Sequence, residues 1–185
     1  PYQFLAFCDE WARFKEEGEG FVSHIPVAVD GSCNGLQLYS LMLRDEHAGK
    51  LVNLTVTEKP EDIYQAVADN VIEQLRKDAT DGKPYAQEWL NYGVTRKITK
   101  RPIMTICYGS TRYSCTDFVK DELVKAERLG KLHPFPKKKI LEACTYLAKA
   151  IWASIGDNLS SARQGMDFLQ AIARIICKDL SLIHI

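Results

Sequence analysis

The clearest candidate for chemistry in this sequence is a basic run at the predicted start of a helix. Residues 95–101 read Thr-Arg-Lys-Ile-Thr-Lys-Arg, with four cations and no acid. Arg96 and Lys100 are four residues apart, so a helix places them on one face, where a guanidinium and an ammonium can hold different phosphates of one triphosphate. The helix dipole also favours an anion at this end. The pattern therefore predicts a phosphate-binding face.

The same helical face extends towards Met104 and Tyr108, which follow at further steps of four residues, and Gly109 comes next. At about 1.5 Å per residue, Tyr108 would lie roughly 12 Å from Lys100, a span that suits a bound nucleotide. Two other interpretations stay open. The basic run could be an ordinary solvated face, and Tyr108 could be a half-buried core residue or part of a helix stop with a left-handed Gly109.

One carboxylate, Asp30, is the candidate metal ligand. It follows the apolar run 21–29, which we predict to be a strand at an edge or bulge, because Pro26 cannot donate to a ladder. Asp30 and the carbonyl groups near Gly31 would then lie at a sheet edge, where Mg²⁺ can be held. The alternative is that Asp30 in Asp-Gly-Ser is a turn former or a helix cap.

Helices are predicted to position these residues and to dominate the fold. Apolar periodicity, caps and breakers predict helices over residues 4–17, 36–44, 60–77, 85–92, 94–107, 114–129, 137–155 and 160–178. Pro102 should bend the helix that carries the basic run, and residues 51–57 could be a short extended segment. The predicted class is α+β, predominantly α-helical.

Composition indicates a folded chain and excludes several classes of protein. The 185 residues are 46% hydrophobic, enough for a core that buries roughly 70% of the extended-chain surface. Lys plus Arg equals Asp plus Glu at 24 each, so net charge does not argue for a polyanionic partner. Six cysteines without a CxxC pair favour free thiols in a reducing compartment over a zinc site. No apolar run reaches the ~20 residues of a membrane span, so we expect an intracellular, membrane-free protein.

Both ends of the sequence lead us to expect a fragment. Pro1 stands in place of an initiator Met, and helical periodicity begins almost at once. The last residues, 179–185, abandon the preceding helical pattern, so we expect them to be a non-native tail without function.

Two segments taken together resemble the first and second polymerase motifs of the single-subunit RNA polymerases of phages and mitochondria. Residues 30–35 read Asp-Gly-Ser-Cys-Asn-Gly, and residues 96–109 read Arg-Lys-Ile-Thr-Lys-Arg-Pro-Ile-Met-Thr-Ile-Cys-Tyr-Gly. The chain also resembles the family in the order of these two segments, in their separation along the sequence, and at residues 4–8, 43–46 and 52–54. The resemblance covers nearly the whole chain up to about Lys178 and corresponds to a middle portion of a family polymerase.

The resemblance implies a right-hand polymerase architecture. Residues 1–58 would be a palm segment with the strand that ends at Asp30, and residues 59–178 a mainly helical fingers segment. In the family, the aspartate that matches Asp30 binds both catalytic Mg²⁺ ions, and the carbonyl of the glycine that matches Gly31 assists. A second carboxylate comes from a His-Asp pair far downstream, and no His-Asp dipeptide occurs in this sequence.

The resemblance also implies roles along the second motif. The residues that match Arg96 and Lys100 hold the incoming triphosphate, and the latter also counts as catalytic. The tyrosine that matches Tyr108 selects ribose and closes the site around the pairing base, and Met104 and Gly109 belong to the same nucleotide-binding motif.

The implied activity is DNA-directed RNA synthesis by a two-metal mechanism. Its partners would be template DNA, nascent RNA and ribonucleoside triphosphates, the protein would be monomeric, and this chain alone should be inactive. It would work in the host cytoplasm if viral, or in a mitochondrion or plastid if organellar, and the lack of a targeting segment favours a viral source. The alternative is a non-catalytic helical module that binds nucleic acid or nucleotide phosphates through residues 95–101.

Overall fold

A computed structural model of the chain describes residues 2–27, 31 and 33–181, with side chains as far as residue 178 at the C-terminal end. Within these ranges the chain is helical and contains no strand. The α-helices are α1 (Tyr2–Glu17), α2 (Asn34–Leu43), α3 (Glu46–Leu51), α4 (Ile63–Thr80), α5 (Ala86–Tyr92), α6 (Arg96–Ile106), α7 (Arg112–Arg128), α8 (Ile140–Asn158) and α9 (Ser160–Ser181). Short 3₁₀ turns occupy Gly18–Gly20 and Lys137–Lys139.

The prediction of a mainly helical chain is confirmed. The predicted strand over residues 21–29 is wrong for the part that the structure describes. Residues 21–27 run without strand pairing, and residues 28–30, which include Asp30, lie outside the described residues. An apolar run forms a strand only when a neighbouring strand accepts its backbone groups, and the described part of the chain offers none. The expected extended segment at residues 51–57 is also absent, because Leu51 ends α3 and turns follow.

Sequence reasoning missed the short helix α3. Asp45 caps it, since its carboxylate accepts a hydrogen bond from the backbone N–H of Ala48 at 3.0 Å. Ala48 and Gly49 are its buried residues. A helix of six residues shows too little apolar periodicity to be recognised from sequence.

The chain divides into two compact units, Pro1–Gly31 and Ser32–Ile185. In the first, α1 buries none of its residues, and its aromatic side chains stack along the helix. The ring centroids of Phe7 and Trp11 are 6.2 Å apart, and those of Trp11 and Phe14 are 5.4 Å apart. Phe14 also meets Phe21 edge to face.

The second unit has one hydrophobic core, built mainly by α4, α7 and α8. Apolar residues recur on the inner face of α4 at Val67, Val71 and Leu75, all fully buried. Trp89 of α5 is also fully buried, and its indole N–H donates to the carbonyl of Ala143 in α8 at 2.9 Å. No helix of the described residues has the combination of length and apolar character that crossing a membrane requires.

Helix α6 lies against this core by one face only. Its buried residues are Ile98, Thr99, Pro102, Ile103 and Ile106. The helix continues through Pro102, whose ring is buried. Because these residues fill the inner face, the charged side chains of α6 are left on its outer face.

Candidate nucleotide-binding site

The basic run lies on the outer face of α6, as its spacing predicts, but its four cations are not equivalent. Arg96 pairs with Asp62, and Arg101 pairs with Asp121 at 2.8 Å. Lys97 and Lys100 form no ion pair with any residue that the structure describes, and both side chains are exposed. These two ammonium groups are therefore the ones that can accept an anion without giving up a partner.

Arg96 is held in place by two groups from the start of α4. Its Nε donates to Oδ2 of Asp62, and its guanidinium carbon lies 4.9 Å from the centre of the Tyr64 ring. The pairing uses one of the five guanidinium N–H donors, so the others remain for a phosphate. The structure thus orients Arg96 before any ligand binds.

Asp62 has a second role at the start of α4. Its Oδ1 accepts from the backbone N–H groups of Tyr64 at 3.0 Å and Gln65 at 3.3 Å, so it is the N-cap of α4. The sequence predicts that a helix begins at residues 60–62, whereas nothing in it indicates the pairing of Asp62 with Arg96. One carboxylate therefore starts one helix and orients the first residue of another.

Tyr64 joins three helices around this point. It is 7% exposed, and its backbone carbonyl accepts from the hydroxyl of Thr99 in α6 at 2.7 Å. Its own hydroxyl lies beside the thiol of Cys33, the N-cap residue of α2. Burial, and then the bond to Cys33, raise the pKa of Tyr64, so the phenol stays neutral. Sequence reasoning missed Tyr64 because it reads as an ordinary core residue.

The two motif segments meet where Gly35 packs against Cys107. A Cβ added to Gly35 would lie 3.0 Å from the Cβ of Cys107 and 3.1 Å from its Sγ, closer than an ordinary contact. Burial, and then the neighbouring Cys33, raise the pKa of Cys107 to about 12. The glycine of the first segment thus allows the C-terminal end of α6 to approach α2 directly.

The carboxylate that the sequence predicts as a metal ligand, Asp30, lies outside the described residues. Gly31 is described and belongs to the first compact unit. Among the residues that the structure covers, no group of three or more His, Cys, Asp or Glu side chains could hold a metal ion. The described side chains therefore do not form a complete magnesium site by themselves.

Tyr108 lies beyond the end of α6, in a turn. The amide N–H groups of Tyr108 and Gly109 donate to the carbonyls of Thr105 and Ile106, and Ser110 donates to Thr105 at 3.2 Å. Gly109 has φ +80°, so the expected helix stop is confirmed. Tyr108 is 79% exposed, which makes the interpretation as a core tyrosine wrong. A regular four-residue step along the helix therefore does not reach Tyr108, whereas Met104 is on α6 and 44% exposed.

The described site is thus an exposed basic helix face that meets the first motif segment through the contact of Gly35 with Cys107. A sequence model of the family described as DNA-dependent RNA polymerase matches residues 1–184 of this chain. The chain therefore belongs to the DNA-dependent RNA polymerase family, in its single-subunit phage and mitochondrial type.

Individual relatives agree with this assignment. The DNA-directed RNA polymerase of Enterobacteria phage T3 is 36% identical over 205 residues, which cover 97% of this chain and 23% of the relative. T7 RNA polymerase of Escherichia phage T7 is 35% identical with the same coverage. The mitochondrial DNA-directed RNA polymerase of Homo sapiens is 37% identical over 178 residues, 95% of this chain and 14% of the relative. The chain thus spans about a quarter or less of the length of these relatives. Members of the family use Mg²⁺ and bind template DNA, RNA and nucleoside triphosphates.

Proposed function

We propose that this chain is the nucleotide-handling part of a single-subunit DNA-directed RNA polymerase that joins ribonucleoside triphosphates to the 3′ end of a growing RNA. The observation that carries the proposal is the outer face of α6. It combines an oriented Arg96 with Lys100, which has no ion-pair partner among the described residues, and α6 ends against Gly35 of the other motif segment. Pre-positioned cations of this kind can hold the phosphates that a nucleotidyltransferase acts on.

In this proposal, Lys100 and Arg96 bind the incoming triphosphate and balance the charge that gathers on its phosphates during transfer. Lys100 is the residue that acts directly, since its ammonium has no carboxylate partner among the described residues. Met104 and the exposed Tyr108 contact the sugar and base, and Gly109 lets the chain turn beside them. Tyr108 selects ribose over deoxyribose.

Asp30 and the carbonyl of Gly31 are proposed to hold magnesium. Two bound Mg²⁺ ions would activate the RNA 3′-hydroxyl and stabilise the departing pyrophosphate. The chain supplies one of the two carboxylates that such a site requires, so we propose that it works together with a His-Asp pair from a longer polymerase chain.

The proposed organisation follows that of a right-hand polymerase. Residues 1–58 are assigned to the palm and residues 59–178 to the fingers. The parent would act as an intracellular monomer in a phage-infected cell or an organelle.

The test uses a polymerase chain that contains these 185 residues together with the downstream His-Asp pair. Asp30→Ala and Lys100→Ala should each reduce RNA extension on a DNA template by at least about 100-fold, since each removes a group that acts on the transferred phosphate. Template binding, followed by fluorescence anisotropy, should not change. Lys149→Ala, which alters an exposed lysine on α8, is the control and should extend normally.

Near-normal extension by either variant would overturn the proposal. A non-catalytic module would instead bind phosphate equally well with Asp30→Ala, and its binding would weaken steeply with salt because only phosphate contacts hold the ligand.

A further inference from the structure

A separate groove opens between α4, the turn before α6, and the C-terminal half of α7. It encloses about 490 Å³, within the usual range of small-ligand sites. Its walls include Gln65 of α4, Tyr92 at the end of α5, and Lys97 of α6. Leu129 and Lys131, which follow α7, close the other side. We refer to it as the Tyr92–Lys131 groove.

The charges around the Tyr92–Lys131 groove favour an anion. Arg96, Lys97 and Lys131 line it, against one carboxylate, Glu122. That carboxylate pairs with the ammonium of Lys125 at 2.6 Å, so its charge is largely compensated. Neither Lys97 nor Lys131 forms an ion pair within the described part of the chain. Two exposed ammonium groups therefore face one groove without an acidic partner.

Lys131 is positioned by an aromatic ring. Its Nζ lies 3.9 Å from the centre of the Tyr92 ring, a close cation–π contact. Tyr92 is itself fixed by the core, because its ring meets that of the buried Trp89 edge to face at 5.7 Å. The ammonium of Lys131 is thus held at the groove although it belongs to a loop.

The groove also has an apolar wall. Leu129 is 85% exposed, and Ala126 of α7 lies beside it in the lining. An exposed leucine next to the oriented Lys131 and the exposed Lys97 matches a ligand with one flat apolar part and one strongly anionic part. Inorganic phosphate would use only the cations, and a nucleic acid duplex is too large for this volume.

We propose that the Tyr92–Lys131 groove is a nucleotide-binding site of its own. The phosphates of a nucleoside triphosphate contact Lys97 and Lys131, and the base lies against Leu129 and Ala126. Tyr92 acts as a positioning residue for Lys131. The groove shares Arg96 with the face assigned to nucleotide transfer. Lys97 is turned by about 60° around α6 from Lys100, so it serves a surface beside that face. The site does not depend on Asp30 or on catalysis.

The test measures binding of ATP, tripolyphosphate and adenosine to the 185-residue chain by isothermal titration calorimetry at low salt. ATP should bind best, tripolyphosphate more weakly, and adenosine least. Lys97→Ala combined with Lys131→Ala should weaken ATP binding by about tenfold, because two charge-assisted contacts are lost. Lys131→Arg should retain most of the affinity, and Tyr92→Leu should lose about as much as Lys131→Ala alone.

Two further arms separate the groove from its alternatives. Lys149→Ala, which alters an exposed lysine on α8 outside the groove, should leave ATP binding within about twofold of the parent. Photo-crosslinking with 8-azido-ATP should label the 126–131 segment in the parent chain and much less in the double variant. Far-UV circular dichroism verifies that each variant is folded.

Three results would overturn the proposal. The first is loss of ATP binding in Lys100→Ala with no change in the double lysine variant, which would place the ligand on the transfer face and leave the proposed polymerase role intact. The second is tighter binding of a short single-stranded oligonucleotide than of ATP through Lys97 and Lys131, which would assign the groove to a nucleic acid strand. The third is equal binding of all variants.

Discussion

The two ends of α4 each carry an important carboxylate, and the two are used in opposite ways. At the C-terminal end, Asp78 is 6% exposed and accepts from Lys83 at 2.7 Å, Tyr146 at 2.6 Å and Gln74 at 2.7 Å. At the N-terminal end, Asp62 is partly exposed, caps the helix and shares its other oxygen with Arg96.

The difference separates a structural site from a functional one. Asp78 is enclosed by three donors, all within the protein, so the cluster is satisfied and offers nothing to a ligand. Asp62 leaves Arg96 with free donors at the surface. Lys100, on the same face, has no ion-pair partner in the described part of the chain. A carboxylate that fully satisfies its partners stabilises a fold, whereas one that only orients a cation leaves that cation able to bind.

The largest expected effect is on stability, from Asp78→Ala. The change removes a buried acceptor of three hydrogen bonds and leaves the hydroxyl of Tyr146 without its partner, so we expect a loss of about 2–3 kcal/mol in the free energy of unfolding. Urea unfolding followed by circular dichroism measures it. Glu73→Ala, an exposed carboxylate on the same helix, is the control and should change stability by less than about 0.5 kcal/mol. Equal losses in the two variants would remove the distinction.

A smaller effect is expected where the functional end is packed, at Gly35. An alanine Cβ there would lie 3.0 Å from the Cβ of Cys107, so α2 and the end of α6 must move apart, at a cost of about 1–2 kcal/mol. Gly49→Ala is the matched control, because its nearest neighbour would be an ordinary 3.6 Å away and alanine favours a helix by up to about 1 kcal/mol. The midpoint of thermal unfolding should therefore fall for Gly35→Ala and rise for Gly49→Ala. A higher midpoint for Gly35→Ala would show that the contact with Cys107 is not tight.

The pH dependence of the free energy of unfolding should reflect mainly Asp78, at the C-terminal end of α4. Burial would raise the pKa of Asp78, but the bonds from Lys83, Tyr146 and Gln74 outweigh it, so the pKa lies below its usual value. The stabilisation is then fully present above the unfolded pKa of about 3.9 and is lost as the pH falls through the lower folded value. Urea unfolding between pH 7 and pH 2.5 should show that the parent loses stability more steeply at acid pH than Asp78→Asn does. Identical profiles would contradict this assignment.

The smallest effect on stability is expected from Asp62→Asn. The amide oxygen can still cap α4, and a partly exposed ion pair contributes only about 0–1 kcal/mol. The charge of Arg96 is no longer compensated, however, so triphosphate binding to the α6 face should tighten by about two- to fivefold. Calorimetric titration with tripolyphosphate in the Lys97→Ala, Lys131→Ala background isolates this face, and weaker binding would show that Asp62 assists the ligand through Arg96.

Local features of the sequence predicted most of the helices. The apolar spacing over residues 60–77 predicts α4, which runs Ile63–Thr80, and the basic run does begin α6 at Arg96. The prediction failed at residues 21–27, where the apolar run has no pairing partner among the described residues. It also failed at α3, which is too short to show apolar periodicity. An isolated apolar stretch has the same composition whether it pairs as a strand or runs alone, so only its neighbours decide.

The sequence by itself determined that Arg96, Lys97, Lys100 and Arg101 share one end of a helix, because the 3.6-residue repeat is a local property of the backbone. Which of them remain available for an anion was decided only by the tertiary structure. Arg96 meets Asp62 and Arg101 meets Asp121 through packing between different helices, whereas Lys97 and Lys100 meet no acid among the described residues. The contact of Gly35 with Cys107 and the ring of Tyr92 beneath Lys131 likewise join residues far apart in the chain. Such pairings depend on how whole helices pack, which no local pattern of residues encodes.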